Sequence, residues 1–176
     1  MTDAFTAAVT DATISVFSAL SASQKSALLA DLFTTTTDDG VAFSLLRHTI
    51  GASDLSADLY SYDGSTDPSL SNFGLQSEGN SMLSWIAQFK AVNPAIKLLG
   101  SVWSPPGWMK LNGVMDGSAD NNNLNTAYAS SFAQYFVKYI QAFAAGGVTV
   151  DAITIQNEPL NRDRKSTRLN SSHQYY

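Results

Sequence analysis

A chain of 176 residues with 44% apolar and 14% charged side chains has enough apolar content for one globular core and is unlike a disordered chain. The net charge is −5, and residues 1–161 hold 6 Lys/Arg against 14 Asp/Glu, an acidic body without the basic footprint that nucleic-acid binding needs. The absence of cysteine excludes disulfides and thiolate metal sites, and no apolar run approaches the roughly 18–20 residues of a membrane span.

Residues 4–9 read as a first strand. Ile14, Phe17 and Leu20 then recur at helical spacing, and Ser21-Ala22-Ser23-Gln24 has the form of a capping box before a second helix carrying Leu28, Leu29 and Leu32. After a polar breaker, Val41 to Ile50 reads as a strand, apolar on both faces as parallel strands tend to be, ending in Arg47 and His48. A long loop, Gly51 to about Leu75, carries Asp54, Tyr60, Tyr62, Asp63, Asp67 and Phe73; its length and aromatics mark it as functional. Met82, Ile86 and Phe89 mark the inner face of a helix ending near Asn93-Pro94, and Ile96 to Val102 is the next strand. Phe132, Phe136, Ile140 and Phe143 form a core stripe on a last helix closed by Gly146-Gly147. Val148 to Ile155 is a final β-branched run, stopped at Pro159, which has no N–H for the ladder.

Strand–helix units repeated this way predict an α/β architecture with a parallel sheet or barrel and right-handed crossovers. Three units and an earlier strand amount to the N-terminal half of a (β/α)8 TIM barrel, truncated after about strand 4. Each clear strand delivers polar or aromatic groups to its C-terminal end: Arg47 with Asp54, then Trp103, then Asn157 with Glu158. A carboxyl group beside an amide and aromatic platforms suits glycoside hydrolysis, in which one acid protonates the leaving oxygen and a second carboxylate attacks or activates water. Read alone, Arg47 is either a site residue or an ion-pair partner of Asp54. Trp103 and Trp108 are either sugar platforms or packing residues, and His48 is a structural hydrogen-bonder. His48 and His173 are too far apart in sequence to make a metal site, and nothing in the residues calls for a cofactor.

Four stretches together resemble glycoside hydrolase family 30: Leu46-Arg47-His48-Thr49-Ile50-Gly51-Ala52-Ser53-Asp54-Leu55-Ser56, Tyr60-Ser61-Tyr62-Asp63, Trp103-Ser104-Pro105-Pro106-Gly107-Trp108-Met109-Lys110 and Gln156-Asn157-Glu158-Pro159. They come in that family's order over about residues 5–161, and their wording is most like that of fungal endo-β-1,6-glucanases, with glucosylceramidases and β-1,6-galactanases as relatives. The resemblance implies a retaining mechanism on a (β/α)8 barrel. Glu158 matches the general acid/base, and Asn157 the amide that contacts the sugar. Arg47, Asp54 and Trp103 match residues lining that subsite, and Trp108 an aromatic near it. The family's nucleophile is a glutamate on a later strand; Glu78 matches nothing in that role, so the resemblance leaves this chain without a nucleophile.

Residues 1–161 are therefore expected to be a partial catalytic domain, hydrolytically inactive by itself. Residues 162–176, with four basic groups and one acid, show no apolar periodicity and are expected to be a sequence artefact. The resemblance implies a glycan substrate, a monomer at full length and secretion, although no signal peptide is visible at Met1. A non-catalytic carbohydrate-binding fragment is the alternative from another class.

Overall fold

The computed structural model describes residues 5–36, 40–116 and 122–159. Strand β1 (Thr6–Val9) leads into helices α1 (Asp11–Ser18) and α2 (Ala22–Phe33). Strand β2 (Leu45–Ile50) is followed by α3 (Gln76–Val92), then β3 (Lys97–Val102), α4 (Ala129–Ala145) and β4 (Ala152–Thr154). The strands form one parallel sheet in chain order, with Thr6 opposite Leu45, Leu45 opposite Lys97 and Leu99 opposite Ala152. Parallel neighbours joined through helices make the half-barrel arc expected from the sequence. The expected tail lies outside the described residues.

Two capping boxes start the first helices. Thr10 and Thr13 exchange side-chain and backbone bonds ahead of α1, and Ser21 and Gln24 do so ahead of α2, which satisfies N–H groups that a helix start leaves orphaned.

Strand β2 is shorter than the apolar run predicted. The Val41 and Phe43 N–H groups donate to Asp31 O (2.7 Å) and Leu32 O (3.0 Å), so this segment caps the last turn of α2 instead of extending the ladder. Nor is β2 apolar on both faces. His48 stacks on Phe143 of α4, with ring centroids 5.0 Å apart, so that face is covered by a helix. Arg47, one residue earlier, points to the opposite face and meets Ser101 of β3.

The final strand is also shorter than expected. Val148 N–H bonds back to Phe143 O, and the Asp151 carboxylate accepts from Leu98 N–H, leaving only three ladder residues. Ile155 is 59% exposed. The α4 stripe needs one correction. Phe132, Phe136 and Phe143 are buried, but Ile140 is exposed, and Tyr135 and Tyr139 fill the core beside them. The amphipathic face is set by rings that reach the sheet, and the two tyrosines place their hydroxyls on partners: Tyr135 on Tyr62 N–H and Tyr139 on His48 Nε2. His48 is thus the structural hydrogen-bonder expected.

Candidate active site at the strand ends

The inner face of the sheet carries a polar ladder near its C-terminal end. Arg47 Nη2 donates to Ser101 Oγ on β3 (3.0 Å) and to Asn157 Oδ1 beyond β4 (2.6 Å). Its guanidinium lies 4.5 Å from the Trp103 ring centroid, within cation–π range. Ser101 and Thr154 share a hydroxyl bond of 2.6 Å across β3 and β4. A half-buried guanidinium with two oxygen acceptors and an aromatic face fixes three strand ends relative to one another, because charge-assisted bonds are stronger than neutral ones.

Residue 157 is held from both sides. Its N–H donates to Val102 O (2.8 Å), and the buried Gln156 donates from Nε2 to Trp103 O (2.8 Å) and Asn157 O (2.9 Å). Glu158 follows with φ +46°, exposed at the mouth, ahead of Pro159. The sequence-predicted Arg47, Trp103 and Asn157 are therefore brought into direct contact, and Glu158 is attached to that cluster through the chain. Asp54 sits at an exposed turn after β2, tied by Ser53 N–H to Ser56 Oγ and Leu55 N–H to Ser53 Oγ. The Arg47 partners Ser101, Trp103 and Asn157 lie on β3, just after β3 and just after β4. Trp108 stands further along the β3–α4 loop, where its Nε1–H donates to Asp63 O (3.1 Å) and its ring meets Tyr128 edge-on.

Three contributors escaped the sequence reading. Ser101 and Thr154 are ordinary strand residues, and no motif marks them. Asp11 had a signal: it follows β1 at the same strand-end position that was weighed for the other three strands. Its carboxylate accepts from Ser56 Oγ and from Tyr60 Oη (3.1 Å to each oxygen), tying the Asp54-bearing loop to the start of α1. Burial raises its pKa, opposed by the Ser56 and Tyr60 hydrogen bonds and reinforced by the charge of Glu78. Lys110 is buried, which lowers its pKa to about 8 against the pull of Asp116. Among the described residues no cluster of three or more His, Asp or Glu is arranged to hold a metal.

Residues 2–174 match the model of the glycosyl hydrolase family 30 TIM-barrel domain. The chain belongs to glycoside hydrolase family 30. An endo-1,6-β-D-glucanase of Neurospora crassa is 59% identical over 161 residues, covering 89% of this chain and 33% of that protein. The lysosomal acid glucosylceramidase of Mus musculus is more distant, 33% identical over 159 residues, with 88% of this chain and 30% of that protein covered. The solved structure of an endo-β1,6-glucanase superposes with a TM-score of 0.83 at 35% identity, covering 95% of this chain and 36% of that one. The chain thus spans about a third of the length of the relatives it matches. The family 30 domain is a TIM barrel, and the four parallel strands are the N-terminal half of it. No described helix is long and apolar enough to cross a membrane.

Proposed function

We propose that this chain supplies the acid/base half of a retaining endo-β-1,6-glucanase, secreted and monomeric in its full-length form. The observation that carries the reading is the Arg47–Asn157 bond at the strand ends, which sets the residue before Glu158. In the first step the Glu158 carboxyl gives its proton to the glycosidic oxygen as the bond to the anomeric carbon breaks, and a carboxylate nucleophile bonds to that carbon. In the second step Glu158, now ionised, takes a proton from the water that displaces the nucleophile, and the β configuration returns. Asn157, Arg47, Asp54 and Trp103 hold the sugar at the scissile bond; Trp108 holds it further out. The nucleophile is assigned to no residue of this chain. Glu78 lies in the first turn of α3, and Ser77 Oγ donates to it (2.8 Å).

The similarity to fungal endo-1,6-β-glucanases, higher than that to the mouse glucosylceramidase, favours a β-1,6-linked glucan as substrate. The test is hydrolysis of β-1,6-glucan by the full-length protein and its Glu158→Gln variant, with the first-formed anomer read by proton NMR. We expect β product from the parent and a loss of at least about 100-fold in the variant, the lower range for general acid–base catalysis. An α first product sinks the retaining mechanism, and an unimpaired variant sinks the role of Glu158. The 176-residue chain alone is expected to release no reducing sugar; glycan binding without turnover by that chain supports a carbohydrate-binding fragment instead.

A further inference from the structure

The proposed mechanism gives no task to one buried cation. Lys110, in the loop between β3 and α4, is 3% exposed, yet with a pKa of about 8 it keeps its proton at neutral pH. An ammonium held away from water is costly unless acceptors surround it. Lys110 Nζ donates to Met115 O (2.7 Å) and to Ser104 Oγ (3.3 Å), and Ser104 Oγ in turn donates to Pro105 O (2.8 Å). Building on the glucanase reading above, we propose that Lys110 is a positioning residue for the reaction: through Ser104 it fixes the start of the β3–α4 loop, and with it Trp103 at the scissile sugar.

The residue type suits the task. Ser104 lies before Lys110 in the chain and Met115 after it, and a long stem that ends in three N–H donors reaches both. The backbone from which that stem starts is itself anchored. Lys110 N–H donates to Gly107 O (2.9 Å), and Lys110 pairs with Leu124 in an isolated antiparallel bridge. On either side, Leu111 N–H donates to Asn123 O (2.9 Å) and Asn125 N–H to Met109 O (2.8 Å), with Met109 fully buried. The ammonium thus carries the order of this bridge back to Ser104.

The link from there to the chemistry is short. Ser104 directly follows Trp103, whose ring lies 4.5 Å from the Arg47 guanidinium and whose carbonyl accepts from Gln156 Nε2 (2.8 Å). Trp103 is held from the β4 side by Gln156 and from its own loop by Lys110 acting through Ser104. Releasing the second hold lets the ring shift against Arg47, and a misplacement of about 1 Å can cost about 100-fold in rate.

The experiment compares kcat and KM of the full-length enzyme on β-1,6-glucan for the parent, Lys110→Met, Ser104→Ala and the double variant, under conditions where urea unfolding shows each to be folded. Lys110→Met keeps the apolar stem and removes the donors. Its kcat is expected to fall about 10- to 100-fold with KM little changed, the pattern of lost transition-state alignment. Ser104→Ala is expected to lower kcat by less, and the double variant to match Lys110→Met alone, since both act along one path. A lysine that only stabilises the fold would lower the unfolding midpoint and leave the kcat of folded enzyme intact. Parental kcat in folded Lys110→Met, or a loss confined to KM, therefore overturns the inference and leaves the glucanase reading standing. Losses that multiply in the double variant overturn the path through Ser104. Should Lys110→Met fail to fold, the kcat of Ser104→Ala decides by the same criterion. A parent enzyme inactive on β-1,6-glucan overturns the glucanase reading, and this inference with it.

Discussion

Gly100, in the middle of β3, faces α4 at a point where there is no room for a methyl group. A Cβ there would sit 2.6 Å from Tyr139 Oη, 3.0 Å from Ile50 Cδ1 and 3.1 Å from Tyr139 Cε1. Tyr139 has no retreat: its hydroxyl is bonded to His48 Nε2, and its ring lies 4.7 Å from Phe143 and 6.4 Å from Tyr62. Overpacking a filled core costs about 1–3 kcal/mol, and a neighbour fixed on both sides puts Gly100→Ala at the upper end. Restricting the unfolded backbone returns about 0.5–1 kcal/mol, so the net loss is about 2 kcal/mol. Tyr139→Phe removes the nearest clashing atom but leaves His48 Nε2 buried without its partner, at a cost of about 1–3 kcal/mol. The double variant keeps only the two longer contacts. Its loss is therefore predicted to be smaller than the sum of the single losses by at least about 1 kcal/mol, measured as a double-mutant cycle by urea unfolding. Strict additivity, or a neutral Gly100→Ala, would refute the claim that Tyr139 is immobile. The consequence reaches the site, because the next residue, Ser101, is the β3 partner of Arg47.

Two further perturbations probe the same framework. Burial lowers the His48 pKa to about 3 from its unfolded value of 6.5, against a smaller opposing pull from the Thr49 backbone. Between those values the unfolded chain holds a proton that the folded one does not. Stability is therefore complete above pH 6.5 and is lost on acidification through that window, with an upper bound of several kcal/mol at about 1.4 kcal/mol per unit. His48→Gln should flatten the dependence of the unfolding midpoint between about pH 4 and 6; an unaltered slope would show that the titration lies elsewhere. Asp11→Asn loses the charge that draws in both the Ser56 and Tyr60 hydroxyls, at a cost of about 1–2 kcal/mol, and hydrogen exchange at residues 53–60 should accelerate. Unchanged exchange there would remove Asp11 as the anchor of that loop.

Much of this arrangement was legible before any coordinates, for identifiable reasons. Helix starts were readable at Ser21 because the reciprocal bonds of a capping box depend on residues three apart. Strand positions were readable because parallel β-strands carry β-branched and apolar runs, yet their ends were not. Val41–Ser44 and Val148–Asp151 have strand-like composition, but Val41, Phe43 and Val148 spend their N–H groups on the last turns of α2 and α4, a choice that depends on tertiary neighbours. Ile140 kept the helical period of a core residue while Tyr139, on the adjacent stripe, took the buried place, because a ring with a polar tip could reach His48. At the site, strand-end polarity located Arg47, Trp103 and Asn157. Ser101 and Thr154 were invisible, since a hydroxyl on a strand signals nothing until the register sets it beside a guanidinium.

The backbone at Glu158 shows how this local network bears on the chemistry. A φ of +46° costs an L residue about 1–2 kcal/mol, and such a conformation persists only where its surroundings fix it. Groups on the N-terminal side that help to fix it are Val102 O on Asn157 N–H, Gln156 Nε2 on two carbonyls, and Arg47 on Asn157 Oδ1. The regular ladder ends at Thr154, and the Asn157–Val102 bond, Arg47 and Gln156 hold the chain that leads into residue 158. On the proposed mechanism Arg47 and Gln156 act through the geometry of the acid/base position as well as, for Arg47, through the sugar. The proton donor is then aimed by a guanidinium on β2 and a carbonyl after β3, and its orientation depends on three strands holding one register.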